Sequence, residues 1–265
     1  MSIIINHNAG FFSCCSIRLL KIIEYFNINK KLPSIVDSSA QFNWYKNNNN
    51  NNNNNSNDDI TFHYFNNYNN IDIDIVYNNT INYISDRQFS DYSKLDYNLI
   101  PFIKKYFSPS SEIITIIQNI ETKYNINYND ICVLFYRGND KNRETKICNY
   151  NEYIDKANMI LDKNPNVKFL IQSDETEFIE TILKTFPSSF YFIDEIRHVK
   201  KCDSTVDILL KNTNYIYSKY YLAITIIMSK CRYIICGSGN CSMWIIFYRE
   251  NSENVYQNLN NIWLN

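Results

Sequence analysis

The chain has 265 residues, of which 45% are hydrophobic and 15% aromatic, and its formal net charge is −1. This length fits one large domain or two small ones, and the composition supports a packed core rather than a disordered chain. A net charge near zero provides no general attraction for nucleic acid or for an acidic membrane surface. We therefore expect a globular protein with no nucleic-acid partner.

The sequence also argues against membrane and disulfide classes. It has no uninterrupted apolar stretch of the ~18 residues that a membrane helix needs, so no integral membrane segment is predicted. The opening, MSIIINHNAG, lacks the basic start and the cleavage site of a signal peptide, which favours a cytoplasmic protein. The eight cysteines include no C-x-x-C pair, so we interpret them as small buried residues in a reducing compartment.

The first half opens with a strand, a loop, a helix and a second strand. The apolar spacing predicts a strand over 3–6, a helix over 13–27 and a strand over 32–37, with Gly10 in the loop. The asparagine-rich stretch 46–57 predicts a flexible loop, because asparagine competes for its own backbone and buries little.

The stretch 40–110 shows little regular pattern, and only its end can be assigned. A short helix is predicted over 101–107. A second helix is predicted over 110–124, where serines precede a broad face of isoleucines, and it would connect the two halves.

The second half alternates strands with helices, a pattern typical of βαβ units and a parallel sheet. Ligands of such sheets bind beyond the carboxyl ends of the strands. The predicted strands are 131–136, 167–172, 190–193 and 233–236, and the predicted helices are 150–162, 175–186, 206–229 (one long or two shorter) and 242–249.

Three of these strands end in polar clusters, at 137–141, 172–175 and 237–240. Each has an ordinary interpretation: a solvated loop, a helix cap or a plain turn. Together on one sheet edge they offer an arginine for phosphate oxygens, a carboxylate for a base or ribose, and a glycine loop before a helix N-terminus. We therefore predict a site for a nucleoside diphosphate, although neither the P-loop nor the G-x-G-x-x-G pattern is present.

These clusters carry a resemblance to a known family. FYRGNDK at 135–141 is similar to the His-Val-Arg-Arg-x-Asp-Lys hallmark of GDP-fucose-dependent fucosyltransferases of the α1,6 and nodulation type, which are related to protein O-fucosyltransferases. SDE at 173–175 stands where that family has Thr-Asp-Asp, and CGSGNCS at 236–242 resembles its serine-rich loop before a helix. The order and spacing agree over about 131–250, and the opening strand, glycine loop and helix resemble the start of the same superfamily.

The resemblance implies an α/β, GT-B-like fold, in which two Rossmann-like domains turn their parallel sheets toward a cleft. Residues 1–124 would form the acceptor-side domain, and 125–265 would bind the nucleotide sugar. The implied reaction is a metal-independent, inverting transfer of a sugar from a GDP-sugar to a hydroxyl of a glycan or protein. Fucose is the first candidate for the sugar, and no cofactor is implied.

The resemblance also implies roles for individual residues. Arg137 would bind the β-phosphate and offset charge on the departing GDP, and Asp140 and Lys141 would order the loop. Glu144 or Asp140 would be the general base for the acceptor. The implied donor-site residues are Gly10, Arg137, Lys141, Asp174, Glu175, Ser238, Gly239, Asn240 and Ser242.

Departures from the family pattern leave alternatives open. Phe135 and Gly138 replace a histidine and an arginine, and Trp244 stands where some relatives have an arginine. One alternative is a catalytically inactive relative that binds a nucleotide sugar or a glycan. A second is a metal-dependent GT-A-type transferase using Asp72 and Asp74, although an alternating Ile/Asp run is also typical of a half-exposed strand.

Overall fold

The structure is a computed structural model that describes residues 2–47, 58–72, 80–83 and 85–265. Most of the predicted asparagine-rich loop, 46–57, lies outside these residues. The first elements are β1 (Ser2–Ile4), α1 (Phe11–Asn29) and β2 (Ile35–Asp37), and β1 pairs with β2 in parallel. This is the predicted opening, and α1 is two residues longer at each end.

The stretch between β2 and the second half is built mainly from short turns of helix. It contains α2 (Thr61–Tyr64), α3 (Ile100–Tyr106), α4 (Ser111–Tyr124) and several 3₁₀ turns. The predicted helices at 101–107 and 110–124 are confirmed, and Ser110 caps α4 by accepting a hydrogen bond from the Ile113 N–H. The 3₁₀ turns are too short for a helical apolar period, which is why the sequence pattern did not reveal them.

The second half forms a five-stranded sheet flanked by helices. Its strands lie in the order β4-β3-β5-β6-β7, and all pairs are parallel except the last, β6 with β7. The strands are β3 (Ile131–Tyr136), β4 (Lys168–Ser173), β5 (Tyr233–Gly237), β6 (Val255–Leu259) and β7 (Ile262–Leu264), and the helices are α5 (Tyr150–Lys163), α6 (Thr176–Thr185), α7 (Val206–Leu209), α8 (Asn214–Lys230) and α9 (Asn240–Arg249). The predicted α/β class with parallel sheets is confirmed.

One prediction for this half is wrong, and two strands were missed. Of the predicted strand 190–193 only Phe190 pairs, in a single bridge with Leu170, and Ile193 is exposed. The stretch 206–229, predicted as one long or two shorter helices, forms the two helices α7 and α8. The strands β6 and β7 were missed, because β6 buries polar Gln257 and Asn258 and so lacks an apolar pattern.

The two halves share a continuous core. Trp244 on α9 lies 6.1 Å from the ring of Phe12 and 4.7 Å from that of Phe107, measured between ring centroids. Its indole N–H donates to Ser16 Oγ of α1 at 2.9 Å. This tryptophan, one of the departures from the family pattern, therefore holds α1 against α9. The domain boundary after residue 124 stays a prediction.

None of the helices in the described residues combines the length and the apolar character that crossing a bilayer requires.

Candidate functional site

The three polar clusters meet at one edge of the large sheet. Tyr136 pairs with Ser173 and Phe135 pairs with Cys236, so β3, β4 and β5 end side by side. A cavity of about 450 Å³ opens at this edge. Its wall also includes residues of the first half, among them Gly10, Ser13 and Trp44.

Arg137 is held at the centre of this edge by three groups. Its Nε donates to Asp174 Oδ2 at 2.8 Å, one terminal nitrogen donates to Asp140 Oδ1 at 3.1 Å, and the other lies 3.5 Å from the Tyr221 hydroxyl. Burial acts to lower the pKa of the guanidinium, but Asp174, Tyr221 and Asp140 together raise it above its ordinary value. Arg137 therefore presents a permanent, oriented positive charge to the cavity, where its side chain is 28% exposed.

Asp174 acts on Arg137 and on the loop that follows β3. Its side chain is 5% exposed, and its second oxygen accepts the Gly138 N–H at 3.1 Å. Its backbone carbonyl accepts from Asn139 Nδ2 at 2.7 Å. Since both carboxylate oxygens are already bonded, the chief effect of Asp174 in this structure is to orient Arg137.

Glu175, its neighbour, points away from the cavity and is fully buried. Its Oε1 accepts from the Tyr150 hydroxyl and lies 3.5 Å from Lys201 Nζ, while Oε2 has no hydrogen-bond partner among the described residues. A Cβ atom on Gly138 would lie 1.5 Å from Oε2 and 2.7 Å from the Tyr136 ring. Packing of Glu175 behind the loop thus explains a glycine at the position where the resembled family has its second arginine.

Lys141, Glu144 and Asp140 form the rim of the cavity beside Arg137. Lys141 Nζ donates to Glu144 Oε2 at 2.5 Å and lies 5.0 Å from the centroid of the Phe89 ring. Lys141 also packs against Gly239, whose Cβ position would be 3.3 Å from Nζ. The lysine therefore links the loop after β3 to the loop after β5, and Glu144 remains 45% exposed at the cavity.

The polar groups of the loop after β5 bond within the protein: the Ser238 N–H donates to the Asn258 carbonyl and the Gly239 N–H donates to the Tyr92 hydroxyl, both at 3.0 Å. Ser238 Oγ donates to the Asn258 carbonyl at 2.8 Å, and Ser242 Oγ donates to the Gly237 carbonyl at 2.5 Å. Gly239 is the N-cap of α9, and no side chain caps this helix. The first N–H groups of α9 therefore remain for an anion at the cavity, along the positive end of the helix dipole.

A second helix begins at the same cavity. Gly10 is the N-cap of α1, again without a side-chain cap. Ser16 Oγ in the second turn of α1 donates to Asn240 Oδ1 at the start of α9 at 2.8 Å, which links the two helices near the cavity. Asn240 therefore has a structural partner as well as a place in the cavity wall.

Several cavity residues had no signal in the sequence. Tyr221 on α8, whose hydroxyl contacts the Arg137 guanidinium, is separated from Arg137 by 84 positions in the sequence. Arg197 and Asp207 pair at 2.6 Å, and Asp207 also accepts from the Tyr45 hydroxyl at 2.7 Å. These partners come from distant segments, so no local motif predicts them. The cavity wall also includes Trp44, Gln172, Arg197, Asp207, Tyr217, Tyr221 and Asn258.

Two of these residues carry buried polar atoms without partners. Gln172 Oε1 and Asn258 Nδ2 are buried and make no hydrogen bond with any of the residues described. Leaving such a group unpaired costs ~1–3 kcal/mol, so a buried polar group of this kind usually bonds to a water molecule or a ligand.

Cys241 is the second residue of α9 and lines the cavity, but it is not an activated thiol. Burial raises its pKa to about 11, although hydrogen bonds with Tyr221 and Thr225 and the charges of Arg137 and Lys141 act in the opposite direction. All eight cysteines are free, and only Cys202 is not buried.

The D-x-D alternative lies partly outside the described residues. Asp74 lies outside the described residues, and Asp72 is exposed. Within 2–47, 58–72, 80–83 and 85–265, no three His, Cys, Asp or Glu side chains lie together in a way that would hold a metal ion.

Comparisons with known proteins give matches among solved structures alone. No protein-family model and no curated protein matches the chain. A crystal structure of the fucosyltransferase NodZ from Bradyrhizobium is similar with a TM-score of 0.51 and 11% identity, over 94% of this chain and 92% of that chain.

Two further structures of NodZ alpha-1,6-fucosyltransferase, one soaked with GDP-fucose and one co-crystallised with GDP, have TM-scores of 0.39 and 0.38 and identities of 12% and 14%. Each covers 58% of this chain, and the chain spans 47% and 46% of those two, less than half of their length. The likeness over nearly the whole chain to the Bradyrhizobium structure confirms the predicted fold class. The protein has a GT-B-like α/β fold, similar to that of the Bradyrhizobium structure.

Proposed function

We propose that this protein is a glycosyltransferase that binds a GDP-sugar in the cavity and transfers the sugar to a hydroxyl of a glycan or protein. Fucose is the first candidate for this sugar. One observation carries the proposal: the oriented, charged Arg137 and the uncapped N-terminus of α9 line one cavity at the carboxyl edge of the sheet. Both features favour a diphosphate. The fucosyltransferase resemblance of 131–250 supports the choice of sugar.

The proposed mechanism needs charge stabilisation at the leaving group. As the bond to the sugar breaks, negative charge grows on the diphosphate, and Arg137 with the N–H groups of α9 would stabilise it without a metal ion. Because Asp174 and Tyr221 already hold Arg137, little reorganisation would be needed during the reaction. Lys141 would add a second positive charge near Gly239.

The acceptor hydroxyl would lose its proton to a carboxylate at the rim. Glu144 is the proposed base, with Asp140 as the other choice, and attack on the face opposite the diphosphate would invert the anomeric centre. Ser13 and Trp44 would form part of the acceptor side, in keeping with an acceptor-side domain at 1–124 and a nucleotide-sugar domain at 125–265, and Gly10 would remain a donor-site residue at the start of α1.

The proposal is tested by measuring the melting temperature of the protein with GDP-fucose, GDP-mannose, GDP and UDP-glucose, with and without EDTA. Ligands that bind the folded state raise the melting temperature according to their affinity. We expect GDP-fucose to give the largest shift and EDTA to leave it unchanged. No shift with any nucleotide would refute the proposal, and loss of turnover in EDTA would favour the metal-dependent alternative. Tight binding of GDP-fucose without transfer or hydrolysis would identify the inactive relative.

A second experiment tests whether Glu144 or Asp140 is the general base. Glu144→Gln keeps the size of the side chain and removes its basicity, so we expect kcat to fall by about 10²- to 10⁴-fold, a larger change than any in GDP affinity that arises through the bond of Glu144 to Lys141. Asp140→Asn is the matched variant, and it should change GDP affinity more because Asp140 bonds to Arg137. If Asp140→Asn alone removes kcat, the base is Asp140 instead. Unchanged kcat in both variants rules out both residues.

A further inference from the structure

Asn258 lies beside the phosphate-binding loop at the end of a strand that sequence patterns did not predict. It pairs with Gly237 across β5 and β6, and its carbonyl accepts both the backbone N–H and the hydroxyl of Ser238, at 3.0 and 2.8 Å. Its side chain is 3% exposed and belongs to the cavity wall. The backbone of Asn258 therefore helps to hold the loop that leads into α9.

The hydrogen bond with Asn261 determines which way the side-chain amide of Asn258 is oriented. Its Oδ1 accepts the Asn261 N–H at 3.2 Å, in the turn between β6 and β7. The reverse orientation would set the amide NH₂ against another N–H, so the oxygen must face Asn261. Nδ2 is left on the other side, buried and without a hydrogen-bond partner among the described residues.

The surroundings of Asn258 indicate what would satisfy this donor. The neighbouring Ser238 is followed by Gly239 and the uncapped start of α9, and Lys141 Nζ packs beside Gly239. Backbone N–H groups, an ammonium group and a free amide thus occur around one end of the cavity. Such a set of donors fits an anion with several acceptor oxygens.

We propose that Asn258 Nδ2 donates a hydrogen bond to a phosphate oxygen of the bound nucleoside diphosphate. This inference rests on the proposed function, and it assigns a phosphate-binding residue that no motif in the sequence marks. Asn258 would add a donor to this end of the cavity without adding a charge, while Arg137 and Lys141 supply the charge.

The test is Asn258→Asp, measured by titration calorimetry with GDP, inorganic pyrophosphate and guanosine. Aspartate keeps an oxygen for the Asn261 N–H but replaces the donor with a negatively charged oxygen. We expect GDP and pyrophosphate to bind at least about tenfold more weakly, because a donor to a charged group is lost and a repulsion gained. Guanosine, which has no phosphate, should bind as it does to the unchanged protein.

The matched control is Asn260→Asp, two residues along the same turn. Asn260 is exposed, and aspartate there keeps the oxygen that accepts from the Thr145 hydroxyl at 2.8 Å. This control measures the general effect of one added negative charge near the cavity. If Asn258→Asp does not fold, as judged by circular dichroism, Asn258→Ala is compared with Asn260→Ala, and we expect a loss of GDP affinity in the first alone.

The outcomes separate this inference from the function on which it rests. If the unchanged protein binds GDP and the Asn258 and Asn260 variants bind it equally well, the donor faces a structural water, and the inference is wrong while the proposed function stands. If the unchanged protein binds neither a nucleoside diphosphate nor pyrophosphate, both are overturned.

Discussion

Replacing Arg137 with alanine is expected to weaken GDP binding by about 30- to 150-fold, which corresponds to the ~2–3 kcal/mol of a charged phosphate contact. The reason is the geometry of the guanidinium, which Asp174, Asp140 and Tyr221 orient at the cavity. Titration calorimetry with GDP measures the loss directly. Sugar transfer should fall with it, since the same group would stabilise the departing diphosphate.

The Arg137→Ala variant is also expected to be less stable, and this effect needs a control. Removing Arg137 leaves the buried Asp174 without its cationic partner, and breaking a buried pair in this way destabilises proteins by ~3–5 kcal/mol. In the double variant Arg137→Ala with Asp174→Asn, the charge is gone and the side chain can still accept the Gly138 N–H.

We expect the double variant to regain stability in denaturant unfolding but not affinity for GDP. Affinity that returned together with stability would mean that Arg137 supports the fold and does not bind phosphate.

Replacing Gly138 with alanine is expected to destabilise the protein by ~1–3 kcal/mol, the usual cost of adding an atom to a packed site. The new Cβ would lie 1.5 Å from Glu175 Oε2 and 2.7 Å from the Tyr136 ring, and Glu175 is fully buried. Denaturant unfolding measures the change in the free energy of unfolding. Gly237→Ala is the matched control, because its Cβ would meet only the Tyr153 hydroxyl at an ordinary 3.5 Å, and we expect little change there.

The cause of this destabilisation can be isolated with Glu175→Ala. Shortening Glu175 removes the atom that the new Cβ would strike, so the double variant should be more stable than the sum of the two single changes predicts, by ~0.5–3 kcal/mol. Strict additivity would show that Glu175 is not the obstacle at position 138. The result would also show whether the buried carboxylate of Glu175 is the reason that position 138 in FYRGNDK is a glycine.

The sequence was most informative about the large sheet. Strand 131–136 was predicted with the bounds that the structure shows, because a parallel strand covered on both faces is a continuous apolar run. The meeting of three polar clusters at one edge followed from the same reasoning, since parallel strands place their carboxyl ends together. In contrast, β6 carries buried amides that are paired only in the folded protein, and its pattern resembles that of a loop.

The sequence by itself determined the class of the fold, the polar edge of the sheet and Arg137 as its central charge. Only the tertiary structure decided what the adjacent carboxylates do: Asp174 orients Arg137, whereas Glu175 turns into the interior behind Gly138. Neighbouring residues here point to opposite sides of the chain, and which side meets the cavity depends on partners far along the sequence. Tyr221, the start of α1 and Asn258 are such partners, and folding alone brings them to this edge.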